Sequence, residues 1–234
     1  MFILTLPIFL FLLPWSVSGS CKSELGCGTD DRANALVLIT PKFPDAFCTG
    51  TVINPIFVLT AAHCSSKKTL YVYAGLIGKD VSKMKEEEAK GSKVVDQRVH
   101  PKFNRKTLEN DLAVFEVSPK LSEDPSLVVP TWLPDSPVDE EPNGWKNCTA
   151  DTYLMGWTHS LVNTSTAVAT CIRSHIIESK KCSSSYKELT LRDRVCVTQQ
   201  TGVCFDVGGA VMCNGEQVGV VSYVYCDIGR LMQF

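Results

Sequence analysis

The spacing of short β-forming runs constrains this chain more than any other feature. Ala35–Thr40, Thr51–Leu59, Thr69–Ala74, Val94–Val99, Asp111–Val117, Thr152–Trp157 and Val218–Tyr223 recur between turn-forming residues. Each is rich in the β-branched and aromatic side chains that suit a pleated surface. No stretch carries the sustained 3.6-residue apolar period of a long amphipathic helix. Strands at this interval predict an all-β sandwich or barrel. With 234 residues the chain has room for one large all-β domain or a pair of barrels sharing a core. Five prolines between Pro125 and Pro142 interrupt the pattern. Proline lacks the N–H that a sheet ladder needs, so this stretch predicts a connector between two halves. The mixed-charge cluster Lys83–Glu88 reads as a solvated loop.

The ends and the cysteines place the chain outside the cell. Residues 2–15 form an apolar run, and the small residues Ser16–Ser20 follow it. This predicts a signal peptide over 1–20 and a secreted, extracellular mature protein over 21–234. The run is too short and too broken by proline to span a bilayer, so no membrane partner is expected. Eleven cysteines in a secreted chain predict a disulfide framework with one thiol left over. A zinc site would need paired Cys-x-x-Cys spacings with matching histidines, which are absent, so no metal and no cofactor are expected. The sequons at Asn147 and Asn163 are glycosylation candidates. A net charge of −2, with both signs spread along the chain, gives nucleic acid nothing to bind.

Three segments carry recognisable chemistry. Residues 59–64 read Leu-Thr-Ala-Ala-His-Cys, residues 110–115 Asn-Asp-Leu-Ala-Val-Phe, and residues 204–210 Cys-Phe-Asp-Val-Gly-Gly-Ala. The turn Val99-His100-Pro101-Lys102-Phe103-Asn104 leads into the second. In this order they resemble the histidine, aspartate and serine motifs of the chymotrypsin/trypsin family, over about Cys27–Cys226. The resemblance implies two antiparallel six-stranded β-barrels, the first over about 27–118, a connector over 119–142, and the second over 143–234. It implies disulfides Cys48–Cys64, Cys27–Cys171, Cys148–Cys213, Cys182–Cys196 and Cys204–Cys226, leaving Cys21 unpaired. Bridging of Cys21 to Cys171, with Cys27 free, remains the alternative. His63 and Asp111 take the positions of the family's base and its orienting carboxylate.

The departures from the family are as informative as the matches. Val207 stands where the nucleophile belongs, and valine has no atom that a base can activate. Only Phe205 separates Cys204 from Asp206, so one residue is missing, together with the glycine whose N–H helps form the oxyanion hole. At the substrate-pocket positions, Gly202 leaves no carboxylate on the floor for a Lys or Arg substrate. Ser222 is retained, and Val224 puts a branched side chain where the family keeps a glycine. Asp206 retains the position that pairs with the new amine of an activated protease, but no Ile-Val-Gly-Gly activation segment occurs. Cleavage after Ser20 would expose an amine at Cys21, the place of that terminus. Only Asp227–Phe234 follow Cys226, so the second barrel is expected to lack its terminal strand and helix, leaving an exposed edge.

The resulting expectation is a secreted, non-catalytic serine protease homologue that acts by binding. Its partner would be a protease, a protease inhibitor or another component of an extracellular cascade. The alternatives are a truncated, non-functional family member and a hydrolase using another nucleophile, with Ser222 and Cys204 the nearest candidates.

Overall fold

The computed structural model describes residues 31–45, 48–79, 81–135, 148, 152–160, 167–177, 196–197, 203–205 and 207–223. Six strands close into an antiparallel barrel: β1 (Leu36–Thr40), β2 (Cys48–Asn54), β3 (Phe57–Thr60), β4 (Tyr71–Tyr73), β5 (Ser92–Val99) and β6 (Ala113–Ser118). They are ordered β1-β2-β3-β6-β5-β4 around the barrel. Closure leaves no unpaired strand edge. The period of two is plain in β6, where Ala113, Phe115 and Val117 are buried and Val114 and Glu116 are half-exposed. Phe115 lies opposite Val58 and fills the barrel interior with Val37, Ile39, Val52 and Val72.

Strand β1 explains its own composition. All five residues of Leu-Val-Leu-Ile-Thr are buried. Val37 and Ile39 face the barrel interior, while Leu36 and Leu38 join a second cluster with Tyr153, Met155, Trp157, Ala210 and Met212. A strand buried on both faces needs an unbroken apolar run rather than an alternating one. The run Thr51–Leu59, expected as one strand, is a hairpin. Pro55 and Ile56 turn the chain, and Asn54 Oδ1 accepts the backbone N–H of Ile56 and Phe57, each at 2.9 Å. The charged cluster is not all loop either. A 3-10 turn (Val81–Lys83) and one helical turn, α1 (Glu86–Ala89), occupy it. Three glutamates open α1, where carboxylates favour the helix N-terminus. Glu86 accepts the Tyr73 hydroxyl at 2.9 Å; burial, then this carboxylate, raises the phenol's pKa.

The second half is also sheet. β7 (Thr152–Ser160), β8 (Ala167–Arg173), β11 (Val203–Phe205), β12 (Ala210–Cys213) and β13 (Glu216–Val220) form one antiparallel sheet, and β9 (Ile176–Ile177) pairs with β10 (Cys196–Val197). β7 is the centre. β8 runs along one edge, and β12 and β11 share the other at Thr152–Met155 and Thr158–Ser160. A closed barrel, a second sheet and little helix match the predicted all-β, trypsin-like two-barrel architecture. The expected shortfall of a terminal strand falls on residues 224–234, outside the described residues. So do the signal peptide, Cys21, Cys27, Asn147, Asn163, Cys182, Gly202, Asp206, Val224 and Cys226.

Disulfides Cys48–Cys64 and Cys148–Cys213 form, with Cα atoms 6.1 and 5.3 Å apart, within the range such bridges require. Cys171 and Cys196 are each disulfide-bonded as well. The connector crosses from one half to the other: Thr131 N–H donates to Val52 O at 2.7 Å, and Gln217 N–H donates to Trp132 O at 2.7 Å. Beside it, the buried hydroxyl of Thr51 donates to Gln217 Oε1 at 2.7 Å, joining β2 to β13. Replacing Thr51 with the near-isosteric valine leaves that amide oxygen buried without its donor. We expect Thr51→Val to cost about 1–3 kcal/mol in urea unfolding, whereas Thr69→Val, on the exposed surface, should change stability by no more than about 0.5 kcal/mol.

Candidate active site

His63 sits on a 3-10 turn, Ala62–Cys64, that leaves β3. The turn is tight: Cys64 N–H donates to Ala61 O at 3.1 Å and Ser65 N–H to Ala62 O at 3.0 Å. Ala61, Ala62 and Cys64 are fully buried, and Cys64 is bridged to the first residue of β2. Between Ala62 and Cys64, His63 is the residue left partly exposed. Arg105 secures the far side, donating from one guanidinium nitrogen to His63 O at 3.3 Å and Ser65 O at 3.1 Å.

Asp111 is delivered by the loop entering β6. Asn110 adopts φ 54°, and Leu112 N–H donates back to Asn110 O at 2.8 Å, turning the carboxylate inward. Its side chain is 3% exposed. Oδ1 accepts the backbone N–H of His63 at 2.9 Å. Oδ2 lies 2.7 Å from His63 Nδ1 and accepts the Ser222 hydroxyl at 2.5 Å. Burial pushes the carboxyl's pKa up, but the hydrogen bonds from His63 and Ser222, the imidazole's charge and the His63 backbone N–H together hold it below the usual value. An ionised carboxylate has no proton to donate, so Nδ1 carries the hydrogen of the 2.7 Å contact, and in the neutral imidazole the lone pair is on Nε2.

Val207 arrives from the other half. Its carbonyl accepts Thr49 N–H at 2.8 Å, Gly208 N–H donates to Val221 O at 2.7 Å, and Val221 N–H donates to Gly209 O at 2.8 Å. Gly208 has φ 89°, and a Cβ there would meet Thr49 O at 2.0 Å and Thr60 Oγ1 at 2.5 Å. Only glycine fits so close an approach. The Val207 side chain is half-buried and packs on the barrel cluster that contains Ala61, Ala62 and Cys64, the residues around His63. The structure thus brings Asp111, His63 and Ser222 into one hydrogen-bonded array and packs Val207 against the barrel core cluster. Among the described residues, His63 Nε2 has no hydrogen-bond partner.

The profile of the Trypsin family matches residues 14–234. This chain belongs to the trypsin family. Pig (Sus scrofa) trypsin is 30% identical over 76% of this chain and 74% of its own length. Chicken (Gallus gallus) trypsin I-P1 is 31% identical over 76% and 68% respectively. Human (Homo sapiens) kallikrein-4 is 24% identical over 92% and 82%. Two trypsin-family neighbours of the array were not legible in the motifs. Thr49 anchors the Val207 carbonyl, and Arg105 anchors the histidine turn. Both act on backbone groups, which carry no residue signature; the position of Thr49 directly after Cys48 was the available hint.

As a chemical device the array holds a base but offers it no hydroxyl to deprotonate at Val207. The lowered carboxyl of Asp111 also links the site to stability. A depressed carboxyl contributes stability above its unfolded pKa of about 3.9, and that contribution disappears as pH falls through the folded value. Urea midpoints should therefore fall on acidification below about pH 4, and fall less steeply in Asp111→Asn, which has no carboxyl to protonate. Parallel acid profiles for the two proteins would show that Asp111 contributes nothing to the linkage.

Proposed function

We propose that this trypsin-family chain is a secreted protein without peptidase activity that acts by binding a protease, a protease inhibitor or another component of extracellular proteolysis. One observation carries the reading: Val207, the residue in the nucleophile's position, is a half-buried apolar side chain packed against the first barrel's core cluster. In another serine protease, loss of the nucleophile lowers turnover by about six orders of magnitude. The missing residue between Cys204 and Asp206 compounds it, since loss of one oxyanion donor costs about 2.7–4 kcal/mol of transition-state stabilisation. The resemblance of relatives named trypsin and kallikrein-4 supports a protein-binding surface, as substrates and inhibitors of such folds are themselves proteins. The leader over 1–20 and the disulfides support export; among the described residues no helix is long and apolar enough to cross a membrane.

A peptidase using Ser222 as its nucleophile is disfavoured by the geometry. The Ser222 hydroxyl already donates to Asp111 at 2.5 Å and lies on the carboxylate side of the array. A repair experiment tests the reading. Purified protein should neither cleave peptide substrates nor take up a fluorophosphonate probe. Val207→Ser alone should remain nearly inactive. Combining it with a glycine inserted after Phe205 should give more activity than either change, because nucleophile and oxyanion donors act as a unit. Robust peptide turnover by Val207→Ser alone would show that the remainder of the site is intact and overturn the reading of a broadly remodelled site.

A further inference from the structure

The geometry points to His63 Nε2 as a nucleophile in its own right, a site of acyl transfer from activated esters with good leaving groups. The inference shares with the proposed function the premise that Val207 supplies no hydroxyl. In a triad, Nε2 faces a serine and takes its proton. Here Nε2 faces no hydroxyl of Val207 and has no hydrogen-bond partner among the described residues, while the side chain is 22% exposed. Asp111 holds the proton on Nδ1 at 2.7 Å, so the neutral imidazole has its lone pair on Nε2, the nitrogen away from the carboxylate. Asp111 itself is locked by His63 N–H and Ser222, so the imidazole is oriented by a rigid carboxylate. The half-buried Val207 packs its apolar side chain on the barrel core cluster and supplies no competing hydrogen-bonding group.

The step balances without a further reactant beyond water. The Nε2 lone pair attacks the ester carbonyl carbon, an N–C bond forms, and the C–O bond to the leaving group breaks, releasing an aryl oxide. The acylimidazolium that results places its positive charge against the Asp111 carboxylate. Water then adds to the acyl carbon, the N–C bond breaks, and a carboxylic acid and neutral His63 are recovered with one proton released. Imidazole is a better leaving group than an alkoxide or an amine, so alkyl esters and peptides return to starting material. The chemistry is thus confined to aryl, enol or similarly activated acyl donors, and it leaves the absence of peptidase activity untouched.

The probe is p-nitrophenyl acetate with the full secreted protein. We expect nitrophenolate release beyond one equivalent, with a hydroxylamine-labile acetyl group mapped to His63 by rapid-quench mass spectrometry. His63→Ala should lower the rate by about tenfold or more. Asp111→Asn should do the same for a different reason. Oδ1 is retained by the His63 backbone N–H, so the new amide N–H faces Nδ1 and moves the ring proton to Nε2, removing the nucleophilic lone pair. The ¹⁵N shifts of the His63 ring report that tautomer independently of rate. Should either variant fail to fold, acetyl mapping on the unaltered protein still decides. Release equal in the unaltered protein and His63→Ala, or no label at His63, overturns the inference. Release abolished by prior fluorophosphonate treatment would instead identify a serine nucleophile and overturn the proposed function.

Discussion

The arrangement of the site depends on one buried carboxylate. Asp111 lies almost wholly out of solvent, and a charge so placed is tolerated only where donors surround it. Its donors come from distant parts of the chain: the backbone and ring of His63 on the turn after β3, and the hydroxyl of Ser222 after β13. Satisfying that charge therefore fixes where the first barrel's histidine turn meets the end of the second half's hairpin. Removing any donor leaves a buried oxygen short of a partner, so the array has a structural reason to persist even where it has no proton to transfer.

A second set of contacts fixes the opposite wall. Thr49 contributes three groups at the seam: its N–H to Val207 O, its carbonyl to the Thr60 hydroxyl, and its hydroxyl to Trp157 N–H. Gly208 presses against that carbonyl so closely that no side chain fits. These bonds lie on the carboxy-terminal side of Val207, whereas the missing residue lies on its amino-terminal side. The chain from Val207 onward is anchored in its docked position by these contacts. For that reason a hydroxyl at position 207 and a restored oxyanion segment are separate repairs rather than one.

Much of the architecture was legible because its causes are local. The unbroken run of β1 and the alternation of β6 state their burial directly. The hairpin within Thr51–Leu59 was hidden because Asn54-Pro55, a turn signal, sits inside a run otherwise suited to a single strand. β8 and β12 are harder to read: Ala-Val-Ala-Thr-Cys-Ile-Arg and Ala-Val-Met-Cys show no regular alternation of apolar with polar side chains, although Val168, Thr170 and Ile172 are β-branched at every second position. At the site, the motifs located His63 and Asp111 although 48 positions separate them. They could not reveal Thr49 or Arg105, whose partners are backbone atoms, nor that Val207 would be half-buried rather than exposed.

The burial of Val207 bears on what replacing a nucleophile does to a fold. A serine at such a position keeps a hydroxyl beside an imidazole and partly out of water, which is useful chemistry and poor packing. A valine there adds apolar surface to the barrel core cluster, at roughly 25 cal/mol for each Å² removed from water. Stability and turnover therefore pull this position in opposite directions. Packing favours the valine at this position, while Asp111, His63 and Ser222 stay together because the buried carboxylate needs its donors.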